Sequence, residues 1–416
     1  MKKYEIGYGK DKVEFTADEK NVLCELHPNK VSAGLTGAAE VRRALAQPIG
    51  SKRLRDIVRP GEKTVIVTSD ITRPMPSALV LPEVLAELEA AGACAQDITI
   101  VFALGSHRHH TEDERRRLAG DAVYSKYKCI DSDSEDCVNI GRTSLGTPVD
   151  IFRPVAEADR RICLGNIEYH YFAGYSGGAK AIMPGVSTYD AIQSNHSRMV
   201  EDAARAGSLS GNPVREDIEE AARLIGVDFI LNVVLDEDKR IVKAAAGDVT
   251  LAHREGCRFL DSFYKIKIPS RADIVVTSPG GFPKDLNLYQ AQKALDNAKH
   301  AVKDGGIIIF IASCSEGYGS PVFERWIKEA RSPDDLIKRV GEHFELGGHK
   351  AAAIAMVEKR ADIFLVSDMP DELARGIFMR PFKTPQEAVD AAYGIKGPGA
   401  EMIIMAHGGS TLPVAD

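Results

Sequence analysis

Short apolar runs recur along this chain and alternate with amphipathic stretches. The runs fall at residues 64–69, 98–104, 161–164, 274–277, 307–312, 363–366 and 402–405. Between them, residues 78–91, 287–302, 322–330 and 384–393 have helix-forming composition, and Thr111 with Glu114 makes a capping-box pattern. Alternation of this kind predicts βα units, and hence an α/β fold with mainly parallel sheets. Residues 229–243 break the rhythm. Two β-rich runs flank Asp236-Glu237-Asp238 there, which predicts a hairpin rather than a crossover helix.

A chain of 416 residues exceeds one ordinary core, so two α/β domains are expected. The Lys-Ile-Lys-Ile-Pro-Ser-Arg stretch that starts at Lys265 precedes a fresh βα series and marks the linker. This places an N-terminal domain at 1–268 and a C-terminal domain at 269–416. The active site is expected in the cleft between them, with the last residues packing back on the first domain. No fixed-period repeat is visible.

Composition narrows the class. Apolar residues make up 44% and charged residues 27%, a normal globular balance. The formal charge of -7, with Lys and Arg spread along the chain, lacks the basic footprint that a nucleic-acid backbone demands. Seven scattered cysteines, never spaced as C-x-x-C, suit reduced thiols. The first residues lack a signal-peptide core and no apolar run is long enough to span a bilayer, so a cytoplasmic enzyme without membrane or nucleic-acid partners is expected.

Chemistry-bearing residues gather where the predicted strands end, as they do in open α/β sheets. The first run leads into Asp70, Thr72 and Arg73, the second into His107, His109 and His110, and the third into His170. His109 and His110 are explained equally well by a solvated loop, whereas His107 stands nearest its strand end. After His170 comes a glycine-rich stretch with Gly174, Gly177, Gly178 and Lys180, which lets backbone approach a ligand closely. A Walker A loop is excluded, because Ala179 takes the last glycine position and Ala181 follows the lysine. A partly desolvated Lys180 could be a nucleophile or covalent anchor, or a plain surface lysine after a turn. Arg73 offers a fork for a carboxylate or phosphate, with a salt bridge to Asp70 as its structural alternative. On a helix, Tyr289 and Gln290 would lie near Lys293 and could face one anion. His196, in polar surroundings, would alone be read as an ordinary structural histidine.

Together, residues 70–73, residues 105–108, His170 ten positions before Lys180, His196 sixteen beyond it and Tyr289-Gln290-Ala291-Gln292-Lys293 resemble the nickel-dependent lactate racemase family in order and spacing. The resemblance covers nearly the whole chain. It implies a racemase or epimerase of a small 2-hydroxy acid. The implied cofactor is a nickel-pincer nucleotide, pyridinium-3-thioamide-5-thiocarboxylic acid mononucleotide, made by separate biosynthesis enzymes. His196 would be the nickel ligand and Lys180 the tether, with Asp70, Thr72, Gly177, Gly178, Tyr289 and Gln290 around the cofactor. His107 and His170 would move the hydroxyl proton on the two faces, through a 2-keto acid. Arg73, oriented by Asp70, and Lys293 would hold the substrate carboxylate. Two alternatives remain at this point: a pyridoxal-phosphate enzyme using Lys180, and a non-catalytic nickel or cofactor carrier. Lone Trp326 is expected in the core, and residues 347–350 beside the substrate.

Overall fold

The computed structural model describes residues 1–29, 34–236 and 238–415. The chain forms two compact units: Val31–Ser262, here the nested unit, and Met1–Lys30 with Phe263–Asp416, the terminal unit.

The nested unit is built on a six-stranded sheet in the order Ile241–Gly247, Phe229–Leu235, Arg160–Asn166, Thr64–Ser69, Ile98–Ala103, Lys128–Asp131. Every neighbouring pair is parallel except the first, which is the antiparallel hairpin expected from residues 229–243. Of its acidic turn, Glu237 lies outside the described residues. Strands covered on both faces read as continuous apolar runs, and Val65, Ile66 and Val67, like Ile100, Val101 and Phe102, are all buried. Helix Ser77–Ala90 buries Val80, Leu81, Val84, Leu85 and Leu88 in the core that also holds Ile66 and Ile100. From Thr64–Ser69 the chain steps to Ile98–Ala103 on one side. It later returns to Arg160–Asn166 on the other. Connections that leave neighbouring strands in opposite directions open a crevice beyond their carboxyl ends, so residues 70–73 and 167–170 flank a topological switch point.

The terminal unit has a wholly parallel sheet in the order Arg380–Phe382, Ala361–Val366, Val302–Ile311, Ala272–Thr277, Met402–Met405, Val22–Glu25. Its last strand comes from the beginning of the chain, with Val22 opposite Met402. The unit boundaries therefore differ from the expected 1–268 and 269–416, because the amino-terminal segment completes the second sheet. The stretch expected as a linker is the strand Lys265–Ile268. It pairs parallel with Leu412–Ala415, so the carboxyl end packs within the terminal unit rather than on the first domain. Among the described residues, no helix is long and apolar enough to cross a membrane.

Trp326 lies in the core as expected. It is fully buried on helix Pro321–Glu329, donates from Nε1 to Glu345 at 2.7 Å and lies under the Arg339 guanidinium at 4.3 Å. A Cβ at Gly348 would run into the indole, so helix Gly348–Glu358 can dock only with glycine there. Trp326→Ala is expected to cost about 3 to 5 kcal/mol. Urea denaturation followed by circular dichroism measures it, and a cost below about 1 kcal/mol would mean the indole is not a core anchor.

Candidate active site

Two clusters stand beyond the carboxyl ends of the nested unit's strands. In the first, Asp70 is buried where Thr64–Ser69 ends, and its Oδ2 meets His107 Nδ1 at 2.9 Å. Thr72 Oγ1 donates to both Asp70 oxygens, at 3.0 and 2.8 Å. Burial alone would raise the Asp70 pKa. The His107 hydrogen bond and charge, with Thr72 and Arg73, outweigh it and hold the carboxyl below its ordinary value. A carboxylate on Nδ1 takes that nitrogen's proton as a hydrogen bond, which leaves Nε2 as the basic nitrogen. Arg73 Nε lies 4.0 Å from Asp70 and its side chain is 54% exposed. Asp70 therefore orients His107, where the sequence suggested Arg73. The neighbouring histidines separate. His109 is solvated as expected, but His110 is buried, with Nδ1 on Asp131 at 2.7 Å and Nε2 accepting from Ile71 N–H at 3.1 Å. His110 thus fixes the backbone that presents Asp70 to Arg73.

The second cluster centres on Phe172. Strands Tyr169–His170 and Gly174–Tyr175 form a tight antiparallel hairpin whose turn buries the Phe172 ring. His170 meets that ring edge-on at 4.5 Å between centroids, His196 at 4.9 Å, and Lys180 Nζ sits 6.0 Å from it. Ala173 N–H donates to His170 Nδ1 at 3.3 Å, so the neutral ring carries its proton on Nε2. His196 ends helix Tyr189–His196, and its Nδ1 faces Asn195 Oδ1 at 2.8 Å. Asn195 is locked in that orientation, since its Nδ2 donates to Asp217 at 2.7 Å and to Val214 O at 3.1 Å. The proton of His196 consequently sits on Nδ1, and Nε2 carries the lone pair. Lys180, half-buried in the turn Gly178–Ala181, has its pKa pushed well below the ordinary lysine value by burial, then by the Arg215 and Arg73 guanidiniums. Arg73 links the two clusters.

The glycines do a different job from the one expected. A Cβ at Gly174 would strike the Ser208 backbone, and one at Gly178 would lie 2.8 Å from the His253 ring. Gly177 and Gly178 thus face protein, and close packing of the loop, rather than ligand approach, demands them. Asn232 Oδ1 accepts from Gly178 N–H at 2.7 Å and holds the turn that leads to Lys180.

Tyr289, Gln290 and Lys293 lie on helix Leu288–Ala298 of the terminal unit, where Gln290 and Lys293 are exposed and Tyr289 half-buried. Helical spacing gives them a shared face, as expected. Helix Gly348–Glu358 adds Lys350, whose Nζ donates to Tyr289 O at 2.6 Å and stands over its ring at 4.1 Å. Phe172, Asn195, Arg215, Asn232 and His253 escaped the sequence reading. Asn212-Pro213, an N-cap followed by proline, is the sequence signal that could have located the helix that carries Arg215.

The residues present fit the nickel-pincer group. A soft-donor pincer takes one imidazole nitrogen as a ligand, and an Nδ1–H donated to a second group is the usual support for such a ligand. The His196–Asn195 pair provides that arrangement, and Lys180 provides an amine able to form a covalent link.

Comparison with known proteins bears on the same site. Residues 8–207 match the lactate racemase N-terminal domain and residues 268–412 the lactate racemase C-terminal domain. A lactate racemase from Thermoanaerobacterium thermosaccharolyticum is 35% identical over 424 residues, covering 99% of each chain. One from Lactiplantibacillus plantarum is 32% identical over 420 residues, covering 97% of this chain and 98% of its own. The solved lactate racemase apoprotein from T. thermosaccharolyticum matches with a TM-score of 0.89 at 34% identity, over 99% of this chain and 100% of that one. A structure from Thermotoga maritima, 17% identical with a TM-score of 0.65, shares the fold. These matches define an enzyme of the isomerase class, a racemase. The chain belongs to the lactate racemase family.

The Asp70 geometry has a measurable consequence. Its folded pKa is depressed, so its contribution to stability is full above the unfolded pKa and is lost as pH falls through the folded one. The stability gap between the parent and Asp70→Asn is expected to hold at neutral pH and to close below about pH 4. Denaturation midpoints measured across pH check this, and a gap constant down to the acid limit would contradict the pairing.

Proposed function

We propose that this chain interconverts the enantiomers of a small 2-hydroxy acid, with lactate as the first substrate to test. The observation that carries the reading is the convergence of His170, His196 and Lys180 on one Phe172 ring, with the His107–Asp70 pair at a nearby strand end of the same sheet. His196 would hold nickel through Nε2, and Lys180 would carry the pincer nucleotide on its amine. When bound, that group supplies a hydride acceptor for the carbinol carbon, so that the acid passes through its planar 2-keto form. Proton movement falls to the chain. His107, with Asp70 on Nδ1, starts as base for one enantiomer while His170 is the donor, and the roles exchange for the other.

Asp70 and Thr72 act by fixing His107, and Gly177 and Gly178 by packing the turn that presents Lys180. Arg73 would hold the substrate carboxylate. A pyridoxal-phosphate enzyme would leave the His196–Asn195 pair without a task, and a carrier would leave the His107–Asp70 pair without one. The seven free thiols fit a cytoplasmic setting, in which separate enzymes would make the nucleotide.

Chiral analysis of D- and L-lactate incubated with the purified protein, produced with and without the nucleotide-synthesis enzymes, tests the reading. Racemisation is expected only in the first case. His107→Ala and His170→Ala should each lower the rate roughly 100- to 10,000-fold with nickel content retained. His196→Ala should lose nickel. Parent-level racemisation by either of the first two variants would remove the two-histidine assignment. If lactate is untouched, other 2-hydroxy acids form the next panel.

A further inference from the structure

An ammonium buried beside a backbone loop normally takes that loop's carbonyls as acceptors. In the loop that precedes Lys180, the five carbonyls of residues 172–176 each accept from another group. Phe172 O accepts from Asn212 Nδ2 at 2.8 Å, and Ala173 O from Arg215 Nε at 3.1 Å. Gly174 O accepts from Gly207 N–H at 3.1 Å, Tyr175 O from Arg215 Nη2, and Ser176 O from His253 Nε2 at 2.8 Å. Arg215 alone accounts for two of these five.

The same guanidinium closes no two-bonded ion pair among the described residues, although the Glu219 charge acts on it. Arg215 is fully buried on helix Pro213–Ile225, and among the described residues its Nη1 has no partner. Glu219, one turn along, is occupied by Arg254 in a two-bonded pair at 2.8 and 2.9 Å. Burial draws the Arg215 pKa down to about 10, which still leaves it charged at neutral pH. The charged groups that act on Lys180 are then Arg215 and Arg73, both cationic. His253, behind the loop, is kept neutral, first by burial and then by Arg215 itself.

We propose that Arg215 is a positioning residue that keeps the Lys180 amine in its free-base, nucleophilic form, by withdrawing the loop's acceptors and setting a like charge behind them. A lysine beside a second cation in an apolar pocket is an established way to make an amine reactive at neutral pH. The inference rests on the reading of Lys180 as the tether, but it concerns the amine itself and is tested before any nucleotide is bound.

The test is competitive acetylation of the full chain with acetic anhydride across a pH series, read by peptide mass spectrometry, with exposed Lys52 as internal reference. The free-base amine attacks a carbonyl carbon, acetate leaves and the amine's proton passes to solvent, so labelling reports the unprotonated fraction. In the parent, the Lys180 midpoint is expected below that of Lys52. In Arg215→Met it should move up, and labelling at neutral pH relative to Lys52 should fall several-fold. Arg215→Lys, which keeps the charge, should stay near the parent, a rescue that a purely structural role would not produce. If Arg215→Met does not fold, Arg215→Gln keeps a donor for Ala173 O without the charge and carries the same expectation. An unmoved midpoint in the neutral variant, or a parent Lys180 that titrates with Lys52, overturns the inference. A shifted midpoint as expected, with no mass added to Lys180 in loaded enzyme, would sustain it and sink the tether assignment alone.

Discussion

The site depends on the capture of one loop's backbone by the helix that follows it in the fold. Residues 172–176 form no long ladder, and their carbonyls would be costly to bury unpaired. Asn212 and Arg215, on the first turn of helix Pro213–Ile225, take three of them, and the rest go to Gly207 and His253. With the backbone fixed, the Phe172 ring is fixed, and with it the edges against which His170 and His196 stand. Gly174 and Gly178 belong to the same constraint, since any side chain there would push the loop off its supports.

Sheet order supplies the second condition. Parallel strands deliver their carboxyl ends to one edge, and the order Arg160–Asn166, Thr64–Ser69, Ile98–Ala103 sets three such ends side by side. Residues far apart in sequence thereby share one edge. Asp70 reaches His107 across a single strand spacing, with Ser69 opposite Ala103 in the ladder. His110 braces the same corner by holding Ile71 N–H, so a histidine with no part in the proposed chemistry sets where the reactive pair stands.

Much of the fold was legible because strands covered on both faces must be apolar throughout. All seven apolar runs read from the pattern are strands in the two large sheets. Val22–Glu25, Lys265–Ile268 and Leu412–Ala415 were not legible as partners. The first two are short and partly exposed with charges among their apolar residues, and each of the three finds its ladder far along the chain. The same division holds at the site. His107, His170, Lys180 and His196 stand out by type and spacing. Arg215 and His253 look like ordinary helix residues until the loop they hold is seen in place, because their effect runs through backbone atoms that carry no residue identity.

Competition for Asp70 settles what Arg73 is able to do. A buried carboxylate has few acceptor positions, and His107 with Thr72 takes them at distances from 2.8 to 3.3 Å, while Arg73 stays at 4.0 Å. Had the guanidinium closed a two-bonded pair with Asp70, both its charge and its planar fork would be spent inside the protein. It is instead more than half exposed, at the same sheet edge as an imidazole whose basic nitrogen faces away from Asp70. In the proposed reaction, that division lets one carboxylate serve two ends at once. It holds the proton-accepting ring in its working tautomer, and by being occupied it leaves the arginine available for the substrate's own carboxylate.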